Sequence, residues 1–228
     1  MDGKKQAVIY ILSDISRTAV VGVLLFWIAG RLDWWAGWAA LAAILINAAA
    51  VWYVVIRVHP ALLAKRFWGR AGVKSWDNAI VLAIKMSQGV RYVVSALDFR
   101  NGWTVGFPEW LQIAGFLVCL LGAFFFVWAM ASNNFFSQIV RIQTDRGHAV
   151  ATTGPYRFIR HPGYLGIILF ELGSAAMLGS VWALIPLSFC VLFPILRTAL
   201  EDRTLLVELP GYAEYARQVR YRLLPGIW

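Results

Sequence analysis

The chain has 228 residues, 60% of them hydrophobic and only 14% charged, with a mean hydropathy of +0.65. A soluble domain carries about 25% charged and about 45–50% apolar residues, so this composition excludes a soluble globular protein and points to one embedded in lipid. The net charge of +9 does not mark a nucleic-acid binder, because the basic residues are scattered through connections beside apolar runs, as positive-inside bias and anionic headgroups favour.

In chain order, residues 7–30 make a first span only if it includes Asp14 and Arg17, which sit three apart and share a helix face. That run lacks a small-residue cleavage site and leads into further spans, so no cleavable signal is expected. Residues 34–56 are 23 positions without a charge, enough to cross a hydrocarbon core of about 30 Å at about 1.5 Å per residue. Residues 78–97 contain Lys85 and Arg91, each expected to snorkel toward its own interface. Residues 110–131 form another uncharged span.

Residues 162–196 carry a single charge, Glu171. As one helix they would measure about 52 Å, too long for one span and barely enough for two. Leu178-Gly179-Ser180 is therefore read as the turn of a tight helical hairpin, with Pro186 and Pro194 interrupting its second arm. The predicted fold is an all-α polytopic membrane protein of about five to six spans. Residues 1–131 form a transmembrane scaffold, and residues 132–228 carry the last two spans as a short hairpin with a compact C-terminal site.

Charges in the connections orient this topology. Lys4, Lys5, Arg17, Arg57, Lys65, Arg66, Arg70, Lys74, Arg141, Arg146, Arg157, Arg160, Arg197, Arg203, Arg217, Arg220 and Arg222 fall on one side, and only Arg31 and Arg100 on the other. That asymmetry predicts an integral membrane protein with both termini in the cytoplasm, in a cell inner membrane or an endoplasmic-reticulum equivalent. Cys119 and Cys190 lie inside apolar segments and match no metal or redox spacing, so neither a zinc site nor a disulfide framework is expected.

The long polar connection, residues 132–161, alternates apolar and polar residues in "SQIVRIQTDRGHAVATTGPY", which is compatible with a short β-hairpin bearing an exposed His148. It ends in "GPYRFIRHPGYLG", Gly154 to Gly166. Gly154-Pro155 forces a turn, and Pro162 keeps His161 out of the helix while starting the helix that follows. His161 thus stands at a helix N-terminus suited to a carboxylate or phosphate, with Arg157 and Arg160 able to bond the same anion. A purely structural reading, with arginines on lipid phosphates and His161 as a cap, fits the spacing equally well. At the far end of the hairpin, Arg197 and Glu201 are four apart with Asp202 adjacent, either a juxtamembrane salt bridge or a polar site facing back toward the motif.

The motif "GPYRFIRHPGYLG", then after a gap of about 35 residues "EDRTLL" and "LPGYAEYARQVRYRLLP", resemble the isoprenylcysteine carboxyl methyltransferase family of integral-membrane methyltransferases, whose wider group includes phospholipid methyltransferases. One departure is Asp202, where the family usually has a second glutamate. The resemblance implies S-adenosylmethionine as methyl donor. It implies a donor site of Tyr156, Arg160, His161, Tyr164, Leu165, Gly166, Glu201 and Asp202, with Arg197 orienting the acceptor and Glu201 a proton acceptor if that acceptor is an amine. The partners implied are membrane lipids and a lipophilic small-molecule or prenylated substrate entering sideways through the membrane. Two other readings are compatible with parts of the chain: an NADPH-dependent reductase of the sterol-reductase type and a non-enzymatic lipid-binding membrane protein.

Overall fold

The computed structural model describes residues 3–60, 62–63 and 72–228; the basic residues Lys65, Arg66 and Arg70 lie outside them. Helices α1 (Gly3–Ala29), α2 (Trp35–Tyr53, continued by a π turn Val54–Val58), α3 (Ser75–Asn101), α4 (Glu109–Ala131) and α6 (Leu184–Glu208) are each long and apolar enough to cross a membrane. The sixth apolar helix, α5 (Pro162–Leu178), is about 25 Å long at 1.5 Å per residue and runs antiparallel along the length of α4. A short helix, α7 (Tyr212–Gln218), follows α6, and no strand occurs among the described residues. The chain is an all-α, polytopic integral membrane protein. Its outward surface carries exposed Trp27, Trp35, Trp38, Trp103, Trp110 and Trp182, side chains that favour lipid and its interfaces.

Small residues bring α4 and α5 together. Gly115 and Gly122 of α4 face Gly173 and Gly166 of α5 so closely that a Cβ on Gly166 would lie 2.6 Å from the Phe126 nitrogen and 2.7 Å from the Gly122 oxygen. Without a hydrophobic drive between helices in lipid, such backbone approach supplies the packing. The turn Gly179 takes φ +70°, a conformation glycine reaches without cost. The hairpin is therefore present where expected, but its second arm is longer than expected. Helix α6 continues through buried Pro194 to Glu208, and Pro186 falls in its first turn, where no amide donor is needed.

Helix α3 departs most from expectation. Asp77, Arg91 and Asp98 are separated by multiples of seven residues and all three are buried, which places them on one inward stripe. Arg91 does not snorkel: fully buried, its Nη2 lies 2.9 Å from Glu171 Oε2, and Gln88 donates to the other Glu171 oxygen at 2.8 Å. Lys85, by contrast, is exposed. Asp98 accepts from the Thr104 amide at 2.7 Å, the Thr104 hydroxyl at 2.6 Å and the Ser180 hydroxyl at 2.5 Å, tying the α3–α4 connection to the hairpin turn. In α1, Asp14 pairs with Arg17, as their spacing predicts, and also accepts from Trp52 Nε1 of α2 at 2.8 Å.

The polar connection forms no β-hairpin. It carries two 3-10 turns, Thr144–Arg146 and Gly154–Arg157, because its polar side chains bond the backbone locally: Gln143 Nε2 donates to the Phe135 carbonyl at 2.6 Å, and His148 Nδ1 accepts the Gln143 amide at 3.3 Å. His148 is half-buried rather than exposed, with its ring 4.7 Å from that of Phe135. Burial first, and Arg141 and Arg146 next, lower its pKa. Cys119 and Cys190 are free and buried, and the described residues hold no cluster of metal-ligating side chains.

Candidate active site

The motif, the end of α6 and the C-terminal tail converge at the end of the bundle where α5 begins. Asp202, fully buried, is the centre. Its Oδ1 accepts from the Tyr212 hydroxyl at 2.8 Å and lies 3.1 Å from His161 Nε2; its Oδ2 accepts from Arg160 Nη2 at 3.0 Å and Arg222 Nε at 2.8 Å. Arg160 Nε stands 2.9 Å from Oδ1 yet out of hydrogen-bond alignment, so it is a buried donor without an acceptor. One carboxylate therefore gathers the motif, α6, α7 and the tail, with both oxygens engaged by protein donors.

The tail also takes the backbone donors of the motif. The Arg160 and His161 amides bond the Tyr221 and Arg222 carbonyls, each at 2.9 Å, and the Tyr164 amide bonds the His161 carbonyl at 3.1 Å. Pro162 has no amide donor, and Gly163 packs against the Phe136 ring. The start of α5 is thus largely satisfied within the protein. Of the two arginines expected to share one anion, Arg157 is exposed while Arg160 is buried on Asp202.

Glu201, next to Asp202, is placed differently. Half-buried, it accepts the Tyr164 hydroxyl at 2.5 Å and makes no ion pair among the described residues. The i,i+4 bridge with Arg197 does not form. Arg197 is instead held by Asp77 of α3, with Nε to Oδ1 at 2.7 Å and Nη2 to Oδ2 at 3.1 Å, and it donates to the Gln138 carbonyl at 2.7 Å. Its guanidinium carbon lies 5.5 Å from the Tyr164 ring centre. Tyr164 therefore links the two groups, its hydroxyl on Glu201 and its ring beside Arg197.

The other expected site residues frame this centre. Tyr156 is buried, its hydroxyl accepting from Asn133 at 3.2 Å and its carbonyl accepting the Tyr215 hydroxyl at 2.7 Å. Burial raises the pKa of Tyr156 above the ordinary value, and burial with Asp202 does the same for Tyr212. Leu165 joins an apolar wall with Tyr164, Ile168, Leu223 and Trp228. Gly166 directs its Cβ position into the α4 seam, away from the polar cluster. Sequence reasoning missed Asp77, Tyr212 and Arg222. The last two stand in a tail segment that was singled out, and the signal for Asp77 is a carboxylate directly preceding an apolar run. Farther along the α3–α6 seam, toward the hairpin turn, Ser87, Val90 and Val94 face Trp182, Pro186 and Phe189 across an apolar cavity of about 520 Å³.

A model of the isoprenylcysteine carboxyl methyltransferase family matches residues 113–207. The cobalt-zinc-cadmium resistance protein CzcN of Cupriavidus metallidurans is 41% identical over 80 residues, 34% of this chain and 36% of that protein. A probable protein-S-isoprenylcysteine O-methyltransferase of Oryza sativa subsp. indica is 28% identical over 148 residues, 61% of this chain and 73% of the rice protein. The protein-S-isoprenylcysteine O-methyltransferase of Rattus norvegicus is 31% identical over 114 residues, 43% of this chain and 40% of the rat protein. The match to CzcN and to the rat enzyme thus spans well under half of each.

Proposed function

We propose, from the match of residues 113–207 to a model of the isoprenylcysteine carboxyl methyltransferase family, that the protein is a membrane methyltransferase that uses S-adenosylmethionine on a lipophilic or amphipathic acceptor at the cytoplasmic face. The observation that carries this reading is the Tyr164 link: a carboxylate without an ion pair among the described residues, Glu201, and a guanidinium, Arg197, meet on one buried aromatic side chain.

The residues present fit the donor. Glu201 has acceptor capacity left for a sulfonium or ammonium. Tyr156 and the Leu165 wall offer an aromatic and an apolar surface for a flat base. S-adenosylmethionine supplies an electrophilic methyl group when bound. Asp202, saturated by four side chains, holds the tail and His161 in place and leaves direct contact with the donor to Glu201. Gly166 acts by letting α5 approach α4. Residues 132–228 are in this reading the catalytic region and residues 1–131 the scaffold, with both termini cytoplasmic.

A displacement of this kind depends on alignment and exclusion of water. Arg197 holds an anionic acceptor, a carboxylate or thiolate, through the nitrogen that Asp77 and Gln138 leave free. Should the acceptor be an amine, Glu201 takes its proton. The relatives named protein-S-isoprenylcysteine O-methyltransferases support a carboxylate on a prenylated cysteine as the first class to examine, its apolar tail running down the α3–α6 seam. The test is transfer of radiolabelled methyl from S-adenosylmethionine into a lipid and small-molecule extract of the host membranes. The reading predicts an apolar labelled product that disappears with Glu201→Gln; an unlabelled extract with wild-type protein overturns it.

A further inference from the structure

Helix α3 lies outside the family-matched segment, yet it supplies the partner of the arginine at the centre of the site. Asp77 is fully buried in the first turn of α3. Its two oxygens take Arg197 in a fork at 2.7 and 3.1 Å, and Oδ2 also accepts the Val140 amide at 2.8 Å. Arg197 Nη2 in turn donates to the Gln138 carbonyl at 2.7 Å. Three chain segments far apart in sequence therefore fix one guanidinium plane. Nε and Nη2 point at Asp77, and among the described residues Nη1 carries no hydrogen bond.

A bidentate arginine–carboxylate pair fixes direction as well as charge, because the guanidinium fork is planar and its donors are rigid. Without the fork, the long arginine side chain turns about its own bonds and no longer presents Nη1 in one fixed direction. We propose that Asp77 is a positioning residue for methyl transfer: it fixes the direction of Arg197, so that Nη1 faces the acceptor. The proposal rests on the methyltransferase reading above. It requires α3, a scaffold helix, to decide how the acceptor is held.

The test separates positioning from simple bundle stability by measuring the two substrates apart. Purified full-length wild type, Asp77→Asn, Arg197→Lys and the double variant are titrated with S-adenosylhomocysteine. They are then assayed for transfer of radiolabelled methyl into serial dilutions of the membrane extract. Asp77→Asn is expected to bind S-adenosylhomocysteine within about twofold of wild type, while the extract concentration needed for half-maximal transfer rises about tenfold or more. In the Arg197→Lys background the further effect of Asp77→Asn is expected to be under about threefold, because both changes act through one group. Should Asp77→Asn fail to accumulate, Asp77→Glu, which keeps the charge one methylene farther out, is expected to give the same split between the two substrates. A folded Asp77 variant with unchanged half-saturation overturns the proposal. So does a loss of S-adenosylhomocysteine binding parallel to the loss of transfer, which marks a stability effect. Absence of transfer by wild type overturns the methyltransferase reading itself, and this inference with it.

Discussion

Replacing Arg91 with methionine should destabilise the protein more than replacing Arg91 and Glu171 together. Arg91 is fully buried, and its side chain and that of Glu171 are 0% and 5% exposed. Arg91→Met leaves the Glu171 carboxylate buried without its guanidinium partner, the Gln88 amide still donating to it. Breaking a buried pair from one side costs about 3–5 kcal/mol, whereas replacing both partners by apolar groups is neutral or stabilising, since neither charge then needs desolvation. The expected order is therefore a large loss for Arg91→Met, a comparable loss for Glu171→Met, and near wild-type stability for the double variant. Equilibrium unfolding in mixed detergent micelles, followed by tryptophan fluorescence, measures all four proteins. If both single changes cost under about 1 kcal/mol and simply add in the double variant, Arg91 reaches water and the inward stripe on α3 is wrong.

Gly166→Ala places a methyl 2.6 Å from the Phe126 backbone nitrogen and should cost about 1–3 kcal/mol by overpacking the α4–α5 seam. Gly89→Ala, which meets nothing within 4 Å, should be neutral or stabilise by up to about 1 kcal/mol through helix propensity; equal losses at the two sites would refute the seam. Burial raises the pKa of Tyr156, Tyr212 and Tyr215, so each stays a neutral phenol in the fold while the unfolded chain ionises near pH 10. The unfolded state then holds fewer protons, and this contribution to stability is intact below about pH 10 and lost as pH rises further. Ultraviolet titration should show these phenols ionising together with unfolding of the motif and C-terminal tail; smooth titration of every tyrosine near pH 10 with the fold intact would contradict it.

The spans at 34–56 and 110–131 were legible because an uncharged run of sufficient length has few homes other than lipid. The hairpin turn was legible at Gly179, where the chain needs a positive φ. Arg91 was misread because snorkelling depends only on position along one helix, whereas its partner Glu171 lies 80 residues on; the spacing of Asp77, Arg91 and Asp98 was the available sign of an inward stripe. The residues of the candidate site were found by resemblance, but their wiring was not. Nothing in "EDRTLL" says that Glu201 meets Tyr164 while Asp202 gathers Arg160, His161, Tyr212 and Arg222. Neighbouring carboxylates on a helix differ by about 100° in direction, so Asp202 reaches both the motif and the tail while Glu201 meets Tyr164. The alternation in residues 137–156 misled because local side-chain-to-backbone bonds compete with strand pairing.

The central claim is tested most directly by titrating purified wild-type protein with S-adenosylhomocysteine and, in parallel, with NADPH. The account predicts saturable binding of S-adenosylhomocysteine, abolished by Glu201→Gln and weakened by His161→Ala, with no binding of NADPH. Failure of wild type to bind S-adenosylhomocysteine, or saturable binding of NADPH in its place, would contradict it.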